Sequence, residues 1–516
     1  MIEKTPIPRS RRAGGRMARK SLRAAPLADE LRPVRAGLEG GRYKPFDEAG
    51  LNAVVKTVFQ ILEEIGLSQA PESGIAYMTA AGAIAGDDGR VRFPRALVED
   101  TIANAARTIT LHGQDPKYDL NLSGTKVHCG TAGAAVHLVD VAGKAYRESY
   151  LKDIYDAARI VENMDNIHFF QRPMVARDVE DPLDLDINTL YACVAGTRKH
   201  VGVSFTEGEF VPEALSMLHK IAGSEEAFRA RPFVSNSNCF VVPPLRFATE
   251  SCLVMEEVVK GGMPVLLLSA GQAGATAPAS IAGAVAQAVS EVLAGLVYVN
   301  AMVPGHPAIC GTWPFVSDLR TGAMSGGSGE QALLTAACAQ VINSFGLPSG
   351  SAAGMADAKM PDAQSGYEKG STVAMAGLSG LNMVYESVGM HASLLGFCME
   401  SLIIDNDMLG QVMRCVRGIE VNETTLSVQT MKDVCIDGPG HYLGHTATIS
   451  VMQTEYVYPD VADRSSPKEW EELGKPVLLD KATARKEAIL SSFKPDHISA
   501  EVDAAVRSNH KILLET

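Results

Sequence analysis

Residues 348–369 read PSGSAAGMADAKMPDAQSGYEK, and the fold turns on how this stretch is read. Ser349, Gly350, Ser351, Ala352, Ala353 and Gly354 are all small, as in a strand that leaves space at its end. Asp357, Lys359, Asp362, Gln364, Tyr367 and Glu368 then load the following loop with charge and hydrogen-bonding groups, ahead of another apolar run. Strand ends that open into polar loops are where α/β folds place ligands. The plainer reading is a strand-to-helix turn with ordinary solvated charges.

Working outward, the same rhythm repeats. Short apolar runs ending in small or polar residues fall at 127–131, 167–173, 201–205, 233–238, 265–270, 308–313, 349–354 and 383–389, their starts 32 to 43 residues apart. Helical patterns lie between them at 150–164, 210–221, 249–260, 281–302, 331–345 and 392–408. Eight β-α units over residues 126–410 suggest a (β/α)8 TIM barrel, a fold of typically about 250 residues. A doubly wound open sheet is the alternative, although no GxGxxG follows the first strand.

Before this region, residues 46–125 read as an N-terminal cap. Leu51, Val54, Val55, Val58, Phe59 and Leu62 recur at helical spacing until Gly66, and RVRFPRALVEDTIANAA (90–106) reads as strand, proline stop and helix. Residues 1–45 begin with the arginine-rich RSRRAGGRMARKSLRAA (9–25), which lacks the apolar core of a secretory leader. The expectation is a flexible basic arm that docks on an acidic neighbour. Residues 411–516 form a C-terminal accessory region of helices and strands, with GHYLGHT (440–446), EWEELG (469–474) and closing helices at 483–493 and 500–514.

Composition narrows the function. The 516 residues are 46% hydrophobic and 21% charged, which describes a soluble globular chain. A net charge of -13 argues against nucleic acid as partner, since phosphate binding needs a basic face. The nine cysteines form no CxxC pair, as expected of free thiols in a reducing, cytoplasmic setting. No metal site is expected. His128 and Cys129 are adjacent and point to opposite faces of a strand, while His441 and His445 lack an HExxH carboxylate and sit among glycines. The apolar segment 270–302 carries Gln272, Gln287, Ser290, Glu291 and Asn300, so it reads as a buried helix rather than a membrane span. Its small residues also suit close packing between subunits of a homo-oligomer.

If the strand ends converge, the shared face gathers aromatic and acidic groups. Trp313, Phe205, Phe315 and Tyr385 stand out in a chain with only 6% aromatic residues, and Glu386, Asp357 and Asn236 join them. The rings could simply plug the end of the barrel. The functional reading is a cage for a quaternary ammonium, each ring face worth about 0.5–2 kcal/mol, with a carboxylate adding Coulomb attraction in a water-poor pocket. No GxSxG elbow and no P-loop is present.

Three stretches in order carry a resemblance: GTWPFVSDLRTGAMSGGSGE (311–330), DAKMPDAQSGYEK (357–369), and GHYLGHT with DRSSPKEWEELGKP (463–476). Together they resemble the trimethylamine methyltransferase family from about residue 45 to the C-terminus. The resemblance implies a (β/α)8 barrel that moves a methyl group from a methylated amine to the Co(I) of a separate corrinoid protein. One branch carries pyrrolysine in a late strand-end loop. This chain has none, and Met360 stands at or beside that position. That is similar to the non-pyrrolysine branch, which includes glycine betaine methyltransferases.

The expected activity is therefore methyl transfer from a quaternary amine. Cobalamin is supplied by the corrinoid partner rather than bound tightly here, and tetrahydrofolate is expected as the downstream acceptor. A quaternary nitrogen leaves as a neutral amine, so neither zinc nor a general acid is needed. Trp313, Phe205, Phe315 and Tyr385 are the expected cage faces, and Asp357 and Glu386 the counter-charges. His391 or Lys359 would hold the carboxylate of a betaine. Two other readings stay open: a barrel lyase or hydrolase using Asp357, Asp362 and Lys359 on a small carboxylate, and a non-catalytic ammonium-binding protein.

Overall fold

The structure is a computed structural model that describes residues 27–436 and 438–515. The chain divides into two compact units, one formed by residues 1–35 and 418–458 and the other by residues 36–417 and 459–516. Residues 1–26 of the expected basic arm lie outside the described residues.

The larger unit is built on the eight expected strands. They are Lys126–Cys129, Phe169–Gln171, His200–Val203, Val234–Asn238, Val265–Ser269, Ala308–Thr312, Ser349–Ala352 and Met383–Tyr385. All run parallel in one sheet, and a ninth strand, Leu38–Glu39, pairs antiparallel with Lys126–Cys129.

The closed (β/α)8 TIM barrel expected from the rhythm is not what forms. The sheet is curled but open, a half-barrel with its edges 15 Å apart. Its order runs from Leu38–Glu39 through Lys126–Cys129, Met383–Tyr385, Ser349–Ala352, Ala308–Thr312, Val265–Ser269, Val234–Asn238 and His200–Val203 to Phe169–Gln171. Leu38 and Glu39 occupy the free edge of Lys126–Cys129 by pairing with Val127 and Lys126. That is the edge a closing strand would need. What remains for the Phe169–Gln171 strand is a single bridge between Gly130 and Phe169 rather than a ladder.

Helices cover the sheet. Thr249–Lys260 and Ile281–Met302 form as the spacing predicts, and Leu151–Glu162, Val211–Ala222 and Gly329–Ser344 shift by only a residue or two. Pro182–Gly196 and Ala363–Leu378 are additional helices. The last helix begins late, at Met399, because a small hairpin of Met390–His391 and Gly396–Phe397 takes up the start of the expected segment.

Ile281–Met302 is the one helix among the described residues long and apolar enough to cross a membrane, and most of it is buried inside the molecule. Its polar side chains explain why it packs there. The carboxylate of Glu291 accepts from Ser269 Oγ at 2.5 Å, from the Leu245 amide at 2.8 Å and from Gln287 Nε2 at 3.2 Å. Burial raises the Glu291 pKa, and these donors satisfy a group that would be costly to strand in hydrocarbon.

The expected cap contains the helix Glu48–Gln60, continued by a wider turn through Ile61–Ile65 to Gly66, then the strand Arg90–Arg92 and the helix Arg95–Asn104. In the smaller unit, His445 caps the helix Thr446–Val451, its Nδ1 accepting from the Ala447 amide, and lies 3.7 Å from Asp433. No group of three His, Cys, Asp or Glu residues placed to hold a metal occurs among the described residues.

Candidate functional site

The carboxyl ends of the parallel strands face one way, Trp313 and Tyr385 meet there, and Phe169, the first residue of its own strand, packs on Tyr385. Trp313 and Tyr385 have centroids 5.4 Å apart, and Tyr385 meets Phe169 edge-on at 5.1 Å. Trp313 immediately follows the Ala308–Thr312 strand and Tyr385 ends Met383–Tyr385. The parallel pairing of these elements with Ser349–Ala352 brings the two residues together. Small residues between them leave room, since a Cβ on Gly350 would come within 2.9 Å of the Tyr385 ring. The Phe169–Tyr385 edge contact is a favoured aromatic geometry, and the Trp313–Tyr385 planes are tilted by 43°.

Glu386 follows Tyr385 directly and is 1% exposed. Its Oε2 is buried with no hydrogen-bond partner, and so is the indole nitrogen of Trp313. Burial pushes the Glu386 carboxyl up to about 8. Its backbone is held at φ 57°, a left-handed conformation that costs a non-glycine residue about 1–3 kcal/mol. Two glycines make this placement possible. A Cβ on Gly133 would sit 2.3 Å from Met390 Cε and 3.6 Å from Glu386 Oε1, and one on Gly354 would sit 2.9 Å from the Glu386 carbonyl. Two buried polar groups without partners, on Trp313 and on the residue after Tyr385, are exceptions that call for an explanation.

The other expected residues fall into distinct places. Asp357 is fully engaged: its carboxylate accepts from Ser325 Oγ and the Gly326 amide, both at 2.7 Å, and from Ser393 Oγ at 2.5 Å. Lys359 is exposed, and its Nζ donates to the Asp357 carbonyl. Met360 is partly exposed beside it. Asn236 is buried beneath the face, accepting from Asn238 Nδ2 at 3.1 Å. Phe205 and Phe315 are buried after the His200–Val203 and Ala308–Thr312 strands, which are separated by two others, and neither joins the Trp313–Tyr385–Phe169 cluster among the described residues.

His391 is wholly buried in an ionic cluster. Its Nε2 lies 2.7 Å from Ser401 Oγ and 3.4 Å from Lys369 Nζ, and Lys369 pairs with Asp405 at 2.6 Å. Burial first, and then the Lys369 charge, hold the His391 pKa well below its ordinary value, so the ring is neutral. Glu368, the residue before Lys369, accepts from the Asp357 amide at 2.7 Å and the Ala358 amide at 3.2 Å. The DAKMPDAQSGYEK segment is thus pinned internally by its own acids.

Phe169 was not expected at the site, because it lies inside an apolar run that reads as ordinary core. Lys369 and Asp405 were also not expected, being 36 residues apart.

The class defined by the structure is an α/β scaffold with aromatic rings and a buried acid at its strand ends. Comparison with known proteins gives the family. The family model described as trimethylamine methyltransferase (MTTB) matches residues 12–510. A trimethylamine methyltransferase MttB of Desulfitobacterium hafniense is 28% identical over 479 residues, covering 92% of this chain and 95% of the relative. A second, MttB2 of Methanosarcina mazei, is 30% identical over 416 residues, covering 80% of this chain and 83% of its own. A glycine betaine methyltransferase of D. hafniense is 27% identical, covering 90% and 96%. Among solved structures, the Methanosarcina barkeri monomethylamine methyltransferase shares the fold with a TM-score of 0.51 at 13% identity, covering 92% of each chain. The chain belongs to the trimethylamine methyltransferase family, and it is a methyltransferase.

Proposed function

We propose that this methyltransferase takes a methyl group from a quaternary amine and delivers it to the Co(I) of a corrinoid carried by a separate protein. In the reaction the cobalt electron pair attacks the methyl carbon, and the carbon–nitrogen bond breaks with its pair left on nitrogen. A neutral tertiary amine departs, so no proton has to be supplied. The corrinoid is a substrate that arrives at the strand-end face.

The observation that carries this reading is the buried Glu386 Oε2 without a hydrogen-bond partner, on the residue that follows Tyr385 of the Trp313–Tyr385 pair. An onium beside it favours the ionised acid by Coulomb attraction, and the ring faces attract the same charge. Both effects weaken as the charge leaves the nitrogen. Rate therefore depends on orientation rather than on tight ground-state binding: the cage must hold one methyl in line with the open face. The relatives named for trimethylamine and for glycine betaine support the methylated-amine class.

Two features favour a quaternary over a tertiary amine. The chain carries Met360, a side chain without acid–base chemistry, in the DAKMPD loop, and Asp357 is committed to bracing. The test is a panel of choline, glycine betaine, carnitine and trimethylamine with reduced cobalamin, followed by the absorbance change on methylation of cobalt. Transfer from at least one quaternary compound and little from trimethylamine is expected. Transfer from trimethylamine alone, or from none, overturns the reading.

A further inference from the structure

Residues 418–458 supply the larger part of the smaller unit, and Val434 is the one buried side chain among those described. They hold three short helices, Glu423–Leu426, Val428–Cys435 and Thr446–Val451. Fixing a chain costs conformational entropy that burial has to offset, and a unit this small usually needs a staple or a partner. The cysteines are all free, and no group of metal-ligating side chains occurs among the described residues. What the segment does carry is apolar surface.

That surface is continuous. In Val428–Cys435 the exposed Val428, Met431 and Cys435 follow one another at intervals of three and four residues, so they share one helix face, and Ile436 stands at its end. Cys435 Sγ lies 3.4 Å from the Tyr442 hydroxyl, and the Gly440 amide donates to the Val434 carbonyl at 3.1 Å, which brings Tyr442 and Leu443 alongside. Val428, Met431, Ile436 and Leu443 are 59%, 50%, 75% and 79% exposed. With Cys435 and Tyr442 they present on the order of 700 Å². That exceeds the roughly 300–600 Å² of the largest apolar patch on a typical monomer and approaches the about 800 Å² that each partner of a stable complex buries.

We propose that residues 418–458 are an assembly arm, and that a second copy of this chain covers the Val428–Met431–Leu443 face. The area is that of a stable dimer contact, and the face is apolar, as in permanent homo-oligomers. A corrinoid protein that arrives and leaves at each turnover suits a smaller and more polar contact. The chain's own residues 1–26 match the face poorly, since eight of them are Lys or Arg. The arm also replaces the expected packing surface, because Ile281–Met302 is mostly buried inside its own chain. The assignment does not depend on the substrate.

Sedimentation velocity on the full chain, followed by dilution into the nanomolar range, tests the arm. The unmodified protein is expected to sediment as an oligomer. Met431→Glu with Leu443→Glu places two charges in the contact and is expected to weaken association by about a hundredfold or more. Both positions are exposed in the single chain, so the circular dichroism of this variant should match that of the unmodified protein. Met431→Leu, which keeps the face apolar, should keep the oligomer. Hydrogen exchange supplies a second readout: amides of 428–435 and 446–451 should exchange slowly in the oligomer and fast in the charged variant. A monomeric unmodified protein, a charged variant of unchanged mass, or an oligomer whose arm exchanges freely overturns the proposal. Slow exchange of the arm in a monomer would make the cover part of the same chain, and loss of that protection on removing residues 1–26 would identify the cover as that segment; either result also overturns it.

Discussion

Lys369 Nζ and Asp405 Oδ2 lie 2.6 Å apart with their side chains 1% and 6% exposed, and the same Asp405 oxygen accepts from the Gly389 amide at 2.8 Å. The pair therefore ties a helix, Ala363–Leu378, to the loop that leaves Glu386. Breaking a buried pair strands one charge, which typically costs about 3–5 kcal/mol. Lys369→Met is expected to lower the chemical-denaturation stability by roughly that amount. Lys369→Met with Asp405→Leu should recover much of the loss, because no isolated charge remains. Equal instability of the single and double variants would show that the pair does not act as a unit.

Trp313 contributes a ring face and also core packing, being 5% exposed. Trp313→Ala would remove both, at a packing cost of about 3–5 kcal/mol. Trp313→Leu is the sharper variant because it fills much of the space without a π face. It is expected to weaken choline binding by about threefold to thirtyfold, the range of one cation–π contact, with a much smaller shift of the denaturation midpoint. A midpoint shift without weaker binding would reduce Trp313 to a plug.

How far the sequence shows this site depends on the residue. Trp313 and Tyr385 are visible because each closes an apolar run in a chain poor in aromatics. Phe169 is hidden, since nothing in FFQ separates a ring that packs on Tyr385 from one elsewhere in the core. Asp357 and Glu386 look alike as acids after strands. Their difference lies in donors from Ser325, Gly326 and Ser393, brought from 31 to 36 residues away. The eight parallel strands are visible in the rhythm of small and apolar residues, but sheet closure is not. The edge of Lys126–Cys129 is shared with Leu38–Glu39, a two-residue strand too short to carry any periodicity. The helix Ala363–Leu378 is masked by Gly366, Gly370 and Gly377, which weaken a helical signal that tertiary packing restores.

Glu386 makes the site pH-dependent in a stated direction. Its carboxyl is pushed up to about 8 from 4.5 by burial, so it is protonated in the empty protein at neutral pH. Binding of an onium favours the ionised form, and affinity should rise with pH until it levels off near 8. At pH 7 binding should release a proton, seen as a buffer-dependent enthalpy. Stability runs the other way. The folded state holds this proton more tightly than the unfolded state, so its contribution falls as pH rises from 4.5 through about 8. Glu386→Gln should flatten both profiles and weaken choline. An unchanged binding profile in that variant would place the counter-charge elsewhere.

Asp357 separates a brace from a counter-charge. Its carboxylate holds Ser393, in the run Ala392, Ser393 and Leu394, where all three residues have left-handed backbones at φ 50°, 51° and 78°. It also holds the Ser325–Gly326 turn. Asparagine can keep this pattern: its oxygen still accepts from the Gly326 amide and Ser393, and the Ser325 hydroxyl reverses to accept from the new amide. Asp357→Asn is therefore expected to bind choline as the unmodified protein does. Asp357→Ala leaves those donors unsatisfied beside strained backbone and should lose roughly 2–4 kcal/mol of stability, measured by urea unfolding. If Asp357→Asn loses choline as Glu386→Gln does, the negative charge of Asp357 acts on the cation directly, and the site has two counter-charges.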